Sequence, residues 1–243
     1  MAEEEFRRYK PDYTGMQVNE YEFCRMKDCS GKEESFSLDV IVKENDLRKD
    51  RPAVIFVHGG GFLKPNDKRQ AYISRFAKVL TEKGYAVISP DYPQFDSQEQ
   101  YINAGGESAG YTIAAEAVHY AYEWMQDNAE KLGIDRNRID LMGGSAGGMA
   151  AFHAAGRYPD HYHAFVCLWG VPDQLPDVSR MPPVLMIHGT ADELVPYSRT
   201  GYAVRTLTEN GIANKLITLQ GCGHTPLMKM NEFLPEIISF LEM

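Results

Sequence analysis

From residue 53 onward the chain alternates between two patterns of apolar and polar positions. Short, largely apolar runs occupy residues 53–57, 85–89, 138–142, 164–169, 184–187 and 215–219. Runs of that length with little polar alternation are what strands buried on both faces look like. Between them lie amphipathic stretches of helical length, at 68–83, 111–132, 147–156, 198–210 and 227–242. Strand and helix in alternation imply right-handed crossovers and a mainly parallel sheet flanked by helices. Before residue 52 the pattern changes: 17–26 and 35–42 alternate apolar with other residues, as antiparallel strands do. The expectation is an α/β fold built on a mainly parallel sheet of about eight strands.

A chain of 243 residues suits one such sheet with both faces covered, and no repeat, low-complexity stretch or Pro/Gly/Ser linker divides it. Residues 1–243 therefore read as a single domain. Within it, 1–16 form an N-terminal extension, and 93–110, rich in Gln, Asp, Gly and aromatic residues, read as a loop insertion. The net charge is −9 with no block of Lys or Arg, which removes the electrostatic footprint of a nucleic-acid-binding protein. No stretch approaches the roughly 20 apolar residues that span a bilayer. Residues 1–10 carry no apolar run of the kind an export signal needs, so the cytoplasm is the expected compartment. Cys24 and Cys29, which could meet across a hairpin, are then expected as free thiols, and Cys167, inside an apolar run, as a small core residue.

Candidate chemistry falls at the ends of the predicted strands, where ligands bind in open parallel sheets. Gly143-Gly144-Ser145-Ala146-Gly147 follows the run at 138–142 and opens a helix of small residues. That is the context in which G-x-S-x-G presents a serine nucleophile on a sharp strand-to-helix turn. The same pentapeptide pattern recurs at Gly106-Glu107-Ser108-Ala109-Gly110. There it follows a polar stretch rather than a strand, and Ser108 reads as part of the cap region of the helix at 111–132. After the run at 53–57 comes His58-Gly59-Gly60-Gly61-Phe62. Neighbouring glycines let a backbone approach a bound acyl group and aim N–H groups at the oxyanion of a tetrahedral intermediate. The N–H groups of Gly60, Gly61 and Ala146 are the candidate donors. Asp192, in His188-Gly189-Thr190-Ala191-Asp192, and His224, in Gly221-Cys222-Gly223-His224, each lie just past a predicted strand. The order Ser145, Asp192, His224 matches nucleophile, acid and base. Glu193 and Asp173 are the rival acids. His58, His119, His153, His161, His163 and His188 read as structural or surface residues. His161-Tyr162-His163 has no clear further ligand, so no metal site is expected.

His58–Phe62, residues 143–148, the His-Gly-Thr-Ala-Asp segment and Gly223-His224 together resemble the esterase/lipase branch of the α/β-hydrolases. Within it they look most like small carbohydrate-ester hydrolases of the bifunctional feruloyl and acetylxylan esterase type. The resemblance runs from about residue 33 to the C-terminus. His-Gly-Gly-Gly-Phe is also shared with hormone-sensitive-lipase-like esterases, although Gly144 stands where those usually carry Asp. The resemblance implies hydrolysis of carboxylic esters through an acyl-enzyme with no cofactor. The expected partner is a small-molecule or carbohydrate ester. A serine peptidase or amidase using the same residues is one alternative; a non-catalytic hydrolase-fold binding protein is another.

Only residues 171–183 separate the runs at 164–169 and 184–187, too few for a helical lid or a large cap domain. Residues 93–110, with 6–13, are expected to border the mouth of the site. Phe62, Trp169, Leu194 and Leu227 are candidate walls. A shallow, open site of this kind favours short acyl groups.

Overall fold

The computed structural model describes residues 10–243. Strands β1 (Met16–Lys27) and β2 (Glu33–Lys43) pair antiparallel, and β2 pairs antiparallel with β4 (Ala86–Pro90). From β4 the sheet continues in parallel through β3 (Arg51–Val57), β5 (Ile134–Gly144), β6 (Phe165–Leu168), β7 (Val184–Gly189) and β8 (Asn214–Leu219). The eight strands lie in the order β1-β2-β4-β3-β5-β6-β7-β8. Every residue of β4, β6 and β7 is buried, which is why those strands read as apolar runs rather than as alternation.

Helices cover both faces. One face packs against α3 (Glu107–Leu132), α4 (Ala146–Arg157) and α5 (Ser198–Glu209), through residues such as Val118, Phe152 and Leu207. The other packs against α1 (Ala71–Glu82) and α6 (Met230–Leu241), through Phe76, Phe233 and Ile237. Among the described residues no helix is long and apolar enough to cross a membrane. The described cysteines are unpaired, and Cys167 is buried.

Three elements differ from the sequence expectation. Residues 93–110 are not a plain loop: they hold α2 (Gln98–Ala104), and α3 starts at Glu107, four residues before Tyr111. No residue of α2 is buried, so it has no apolar face to generate a helical period. The C-terminal helix begins at Met230, with Leu227–Lys229 as a separate 3₁₀ turn. Finally, residues 6–9 lie outside the described residues, and the rest of the 6–13 segment docks on α1, where the Asp12 N–H donates to Ser74 Oγ at 3.0 Å.

One buried carboxyl works against the fold. Asp140 on β5 is 2% exposed, its Oδ1 has no hydrogen-bond partner, and the nearest cationic candidate, His163 Nδ1, stands 3.4 Å away. Burial pushes its pKa up to about 6, with His163 pulling the other way. A carboxyl raised in the folded state favours folding while protonated and disfavours it once pH climbs through the folded value. Asp140→Asn is therefore expected to stabilise the protein at pH 8 by about 1–3 kcal/mol, with the gain shrinking toward pH 4. Urea unfolding at both pH values checks this; a gain that grows on acidification contradicts it.

Candidate active site

At the end of β5 the chain turns sharply into α4, and the turn is enforced by lack of space. A Cβ on Gly147 would lie 2.2 Å from the Val57 carbonyl oxygen, and one on Gly143 would lie 2.2 Å from that of Gly147. With strand and helix this close, Ser145 is left at φ 55°, ψ −127°, a backbone state that costs a non-glycine residue of order 1–3 kcal/mol. Its N–H donates to the Leu168 carbonyl and its own carbonyl accepts from Gly148 and Met149. The side chain is thereby set at the strand end. The backbone is strained elsewhere around the same space. Of the five non-glycine residues with positive φ among the described residues, four (Phe62, Ser145, Trp169 and Thr225) line one cavity of about 680 Å³.

Ser145 Oγ is 2.8 Å from His224 Nε2, and His224 Nδ1 is 2.8 Å from Asp192 Oδ2. The three residues come from the ends of β5, β7 and β8. Asp192 is buried and its carboxylate is crowded with donors. Oδ1 accepts the N–H groups of Leu194 and Val195, each at 2.9 Å, and Oδ2 also lies 3.1 Å from His188 Nε2. Burial pushes this carboxyl up, but the hydrogen bonds from His188, His224 and the backbone outweigh it and hold it well below the usual range. An ionised Asp192 fixes the Nδ1–H tautomer of His224 and leaves Nε2 free to accept the Ser145 proton. Glu193 and Asp173 are both exposed, and neither hydrogen-bonds His224.

The candidate oxyanion donors lie on the same cavity wall. Gly60, Gly61 and Ala146 line it, and among the described residues none accepts a hydrogen bond from their N–H groups. His58 points the other way. It is fully buried, its ring stacks on Tyr92 with centroids 4.3 Å apart, and its Nδ1 is 2.8 Å from the Gly59 oxygen. Burial lowers its pKa, which keeps it neutral.

Of the four candidate wall residues, Phe62, Trp169 and Leu194 line the cavity. Leu227 does not. The turn after Thr225, closed by the Leu227 N–H on the Thr225 carbonyl, folds it into the core cluster with Met230 and Phe233. The 93–110 segment supplies Gln98, Tyr101 and Glu107 to the cavity, whereas residues 10–13 supply nothing. Residues 171–183 contain no helix. Sequence reasoning missed Glu107, which lines the cavity while paired with Arg199 at 2.9 Å. The two lie 92 positions apart, and only the fold joins them. The cavity volume of about 680 Å³ lies within the range of small-molecule sites.

The second G-x-S-x-G has a different role. Gly106 is the N-cap of α3, and a Cβ on Gly110 would lie 2.5 Å from the Phe62 ring. Ser108 is exposed in the first turn of that helix. Elsewhere His161 stacks on Tyr122, and among the described residues no group of three or more His, Cys, Asp or Glu side chains could hold a metal ion.

Comparison with known proteins gives a consistent picture. A family model described as BD-FAE matches residues 38–161. The chain is 28% identical over 181 residues to hormone-sensitive lipase of Bos taurus, a match covering 70% of this chain and 21% of that protein. It is 28% identical over 203 residues to YitV of Bacillus subtilis (strain 168), covering 66% of this chain and 76% of that one. This chain thus spans about a fifth of the bovine lipase. Among solved structures, a thermophilic esterase of Thermogutta terrifontis, Est2, superposes with a TM-score of 0.70 at 19% identity, covering 96% of each chain. At that identity the likeness speaks for the α/β-hydrolase fold alone.

Proposed function

The chain belongs to the BD-FAE family, within the esterase/lipase branch of the α/β-hydrolases, and from that premise we propose that it is a serine carboxylic-ester hydrolase working through an acyl-enzyme on Ser145. The observation that carries this reading is the unbroken run Ser145 Oγ–His224–Asp192, with 2.8 Å at each step, at the wall of a cavity. Ser145 Oγ attacks the ester carbonyl as His224 Nε2 takes its proton. The oxyanion is held by the N–H groups of Gly60, Gly61 and Ala146. Collapse breaks the bond to the alcohol, which leaves with the proton returned by His224. Water, activated by the same imidazole, then releases the acid. No cofactor takes part in these steps.

For substrate, the proposal is a short-chain acyl ester, acetylated or feruloylated sugars among them. The cavity has room for a small acyl group and part of its alcohol, and the Glu107 carboxylate, paired with Arg199 behind it, stands at its wall. A long alkyl chain gains about 0.8 kcal/mol per methylene only where it displaces water from apolar surface; against a carboxylate it pays a desolvation cost instead. The unpaired Cys24 and Cys29 fit a reducing compartment, and the cytoplasm is the proposed location.

A panel of p-nitrophenyl esters from acetyl to dodecanoyl, with an aminoacyl anilide, acetylated xylan and a feruloyl ester, tests this reading. The expected result is ester hydrolysis with kcat/KM highest from acetyl to butyryl and falling by octanoyl. A maximum at octanoyl or beyond contradicts the short-chain assignment, and preference for the anilide contradicts the esterase one.

A further inference from the structure

Gly60 and Gly61 have no side chains, so their N–H directions depend on whatever holds the two peptide planes. Both peptides are trans. In a trans peptide the C=O and the N–H point in opposite directions. Whatever fixes the Gly59 carbonyl therefore fixes the Gly60 N–H, and whatever fixes the Gly60 carbonyl fixes that of Gly61.

Both carbonyls are held by side-chain amides: that of Gln70, buried behind the loop, and that of Asn66, which itself also lines the cavity. Gln70 Nε2 donates to the Gly59 oxygen at 3.0 Å, beside His58 Nδ1. Asn66 Nδ2 donates to the Gly60 oxygen at 3.2 Å and to the Leu63 oxygen at 2.6 Å, while the Leu63 N–H also reaches the Gly60 oxygen. Gln70 Nε2 lies 3.4 Å from Asn66 Oδ1 as well, which links the two amides. Asn66 packs directly on Gly60, where a Cβ would fall 2.3 Å from Asn66 Cγ.

Gln70 is not there to serve its own helix. It is the N-cap residue of α1, yet its side chain makes no cap hydrogen bond. It is buried with Oε1 lacking any partner. An orphaned acceptor destabilises a fold, so the placement of this amide makes physical sense for the donor it aims at Gly59. We infer that Gln70 and Asn66 are positioning residues for the anion-binding peptides: they lock the Gly59 and Gly60 carbonyls outward so that the next two N–H groups face the cavity. Each accepted hydrogen bond also polarises its peptide and strengthens the N–H on the far side. The inference rests on the esterase reading above, since it supposes that those N–H groups meet an oxyanion.

The test uses the full chain at pH 8 with Gln70→Met, which keeps size and removes the donor, and Gln70→Glu, which keeps shape and, when ionised, offers only acceptors. Asn66→Ala provides a second, independent variant. Four quantities are read: kcat and KM for p-nitrophenyl butyrate, the inhibition constant of phenylboronic acid, which forms a tetrahedral serine adduct, and Tm. The expected result is a fall in kcat of about 10- to 100-fold in each variant, with KM within about threefold for both Gln70 variants. Boronate binding should weaken by a similar factor. Tm should hold or rise in Gln70→Met, because the orphaned oxygen is gone. A purely structural Gln70 would lower Tm and spare boronate affinity; that pattern, or kcat within twofold of wild type, overturns the inference alone. If phenylboronic acid inhibits wild type and binds Ser145→Ala equally well, the serine reading falls and takes this inference with it.

Discussion

Ser145→Ala is expected to lower ester hydrolysis by about 10⁶-fold and to abolish labelling by a fluorophosphonate, while Ser108→Ala leaves both within about twofold. The two serines sit in the same pentapeptide pattern, so the contrast isolates what the fold adds. Ser145 is held at positive φ by glycines that cannot accept a Cβ, and its Oγ is 2.8 Å from an imidazole. Ser108 lies exposed on the first turn of α3, and no hydrogen bond links it to any histidine. Steady-state rates and gel fluorescence of the two variants decide between them. Retained labelling in Ser145→Ala would be incompatible with the assignment.

The second large effect concerns the acid. Asp192→Asn is expected to lower kcat by about 10⁴ with little change in KM. The surroundings dictate how the new amide sits. Oδ1 is met by two backbone N–H groups, from Leu194 and Val195, so the amide oxygen of Asn must stay there. Its NH₂ then occupies the Oδ2 position and donates toward His224 Nδ1. That forces the proton of His224 onto Nε2, the nitrogen that has to accept from Ser145. Glu193, exposed and without contact to His224, is expected to tolerate Gln with kcat within about twofold. The reverse pattern, a silent Asp192→Asn and a crippled Glu193→Gln, would move the acid role to Glu193.

Much of this arrangement was legible in the sequence because parallel strands buried on both faces leave short apolar runs. Ser145, Asp192 and His224 each follow such a run, and the sheet then carries the three ends to one edge. What escaped had no such signature. Helix α2 buries none of its residues, so periodicity could not reveal it, although Ser97 and Gln100 form an N-terminal S-x-x-Q pattern. There the Ser97 hydroxyl accepts from the Gln100 N–H, and Gln100 Oε1 accepts from the Asp96 N–H. Glu107 lies inside the second pentapeptide and reaches the cavity only through the placement of the first turn of α3. Leu227 was misplaced because a 3₁₀ turn and a helix merge into one apolar pattern. Gln70 and Asn66 left no trace at all: what they do is defined by the direction of two carbonyls, which no residue spacing encodes.

The most direct test of the central claim is to look for the acyl-enzyme itself. Wild-type protein mixed rapidly with p-nitrophenyl acetate, quenched in acid and digested should show the acetyl group on the peptide containing Ser145, and Ser145→Ala should show none. An acetyl group on another residue, or turnover with no adduct at any quench time that also persists in Ser145→Ala, would contradict it.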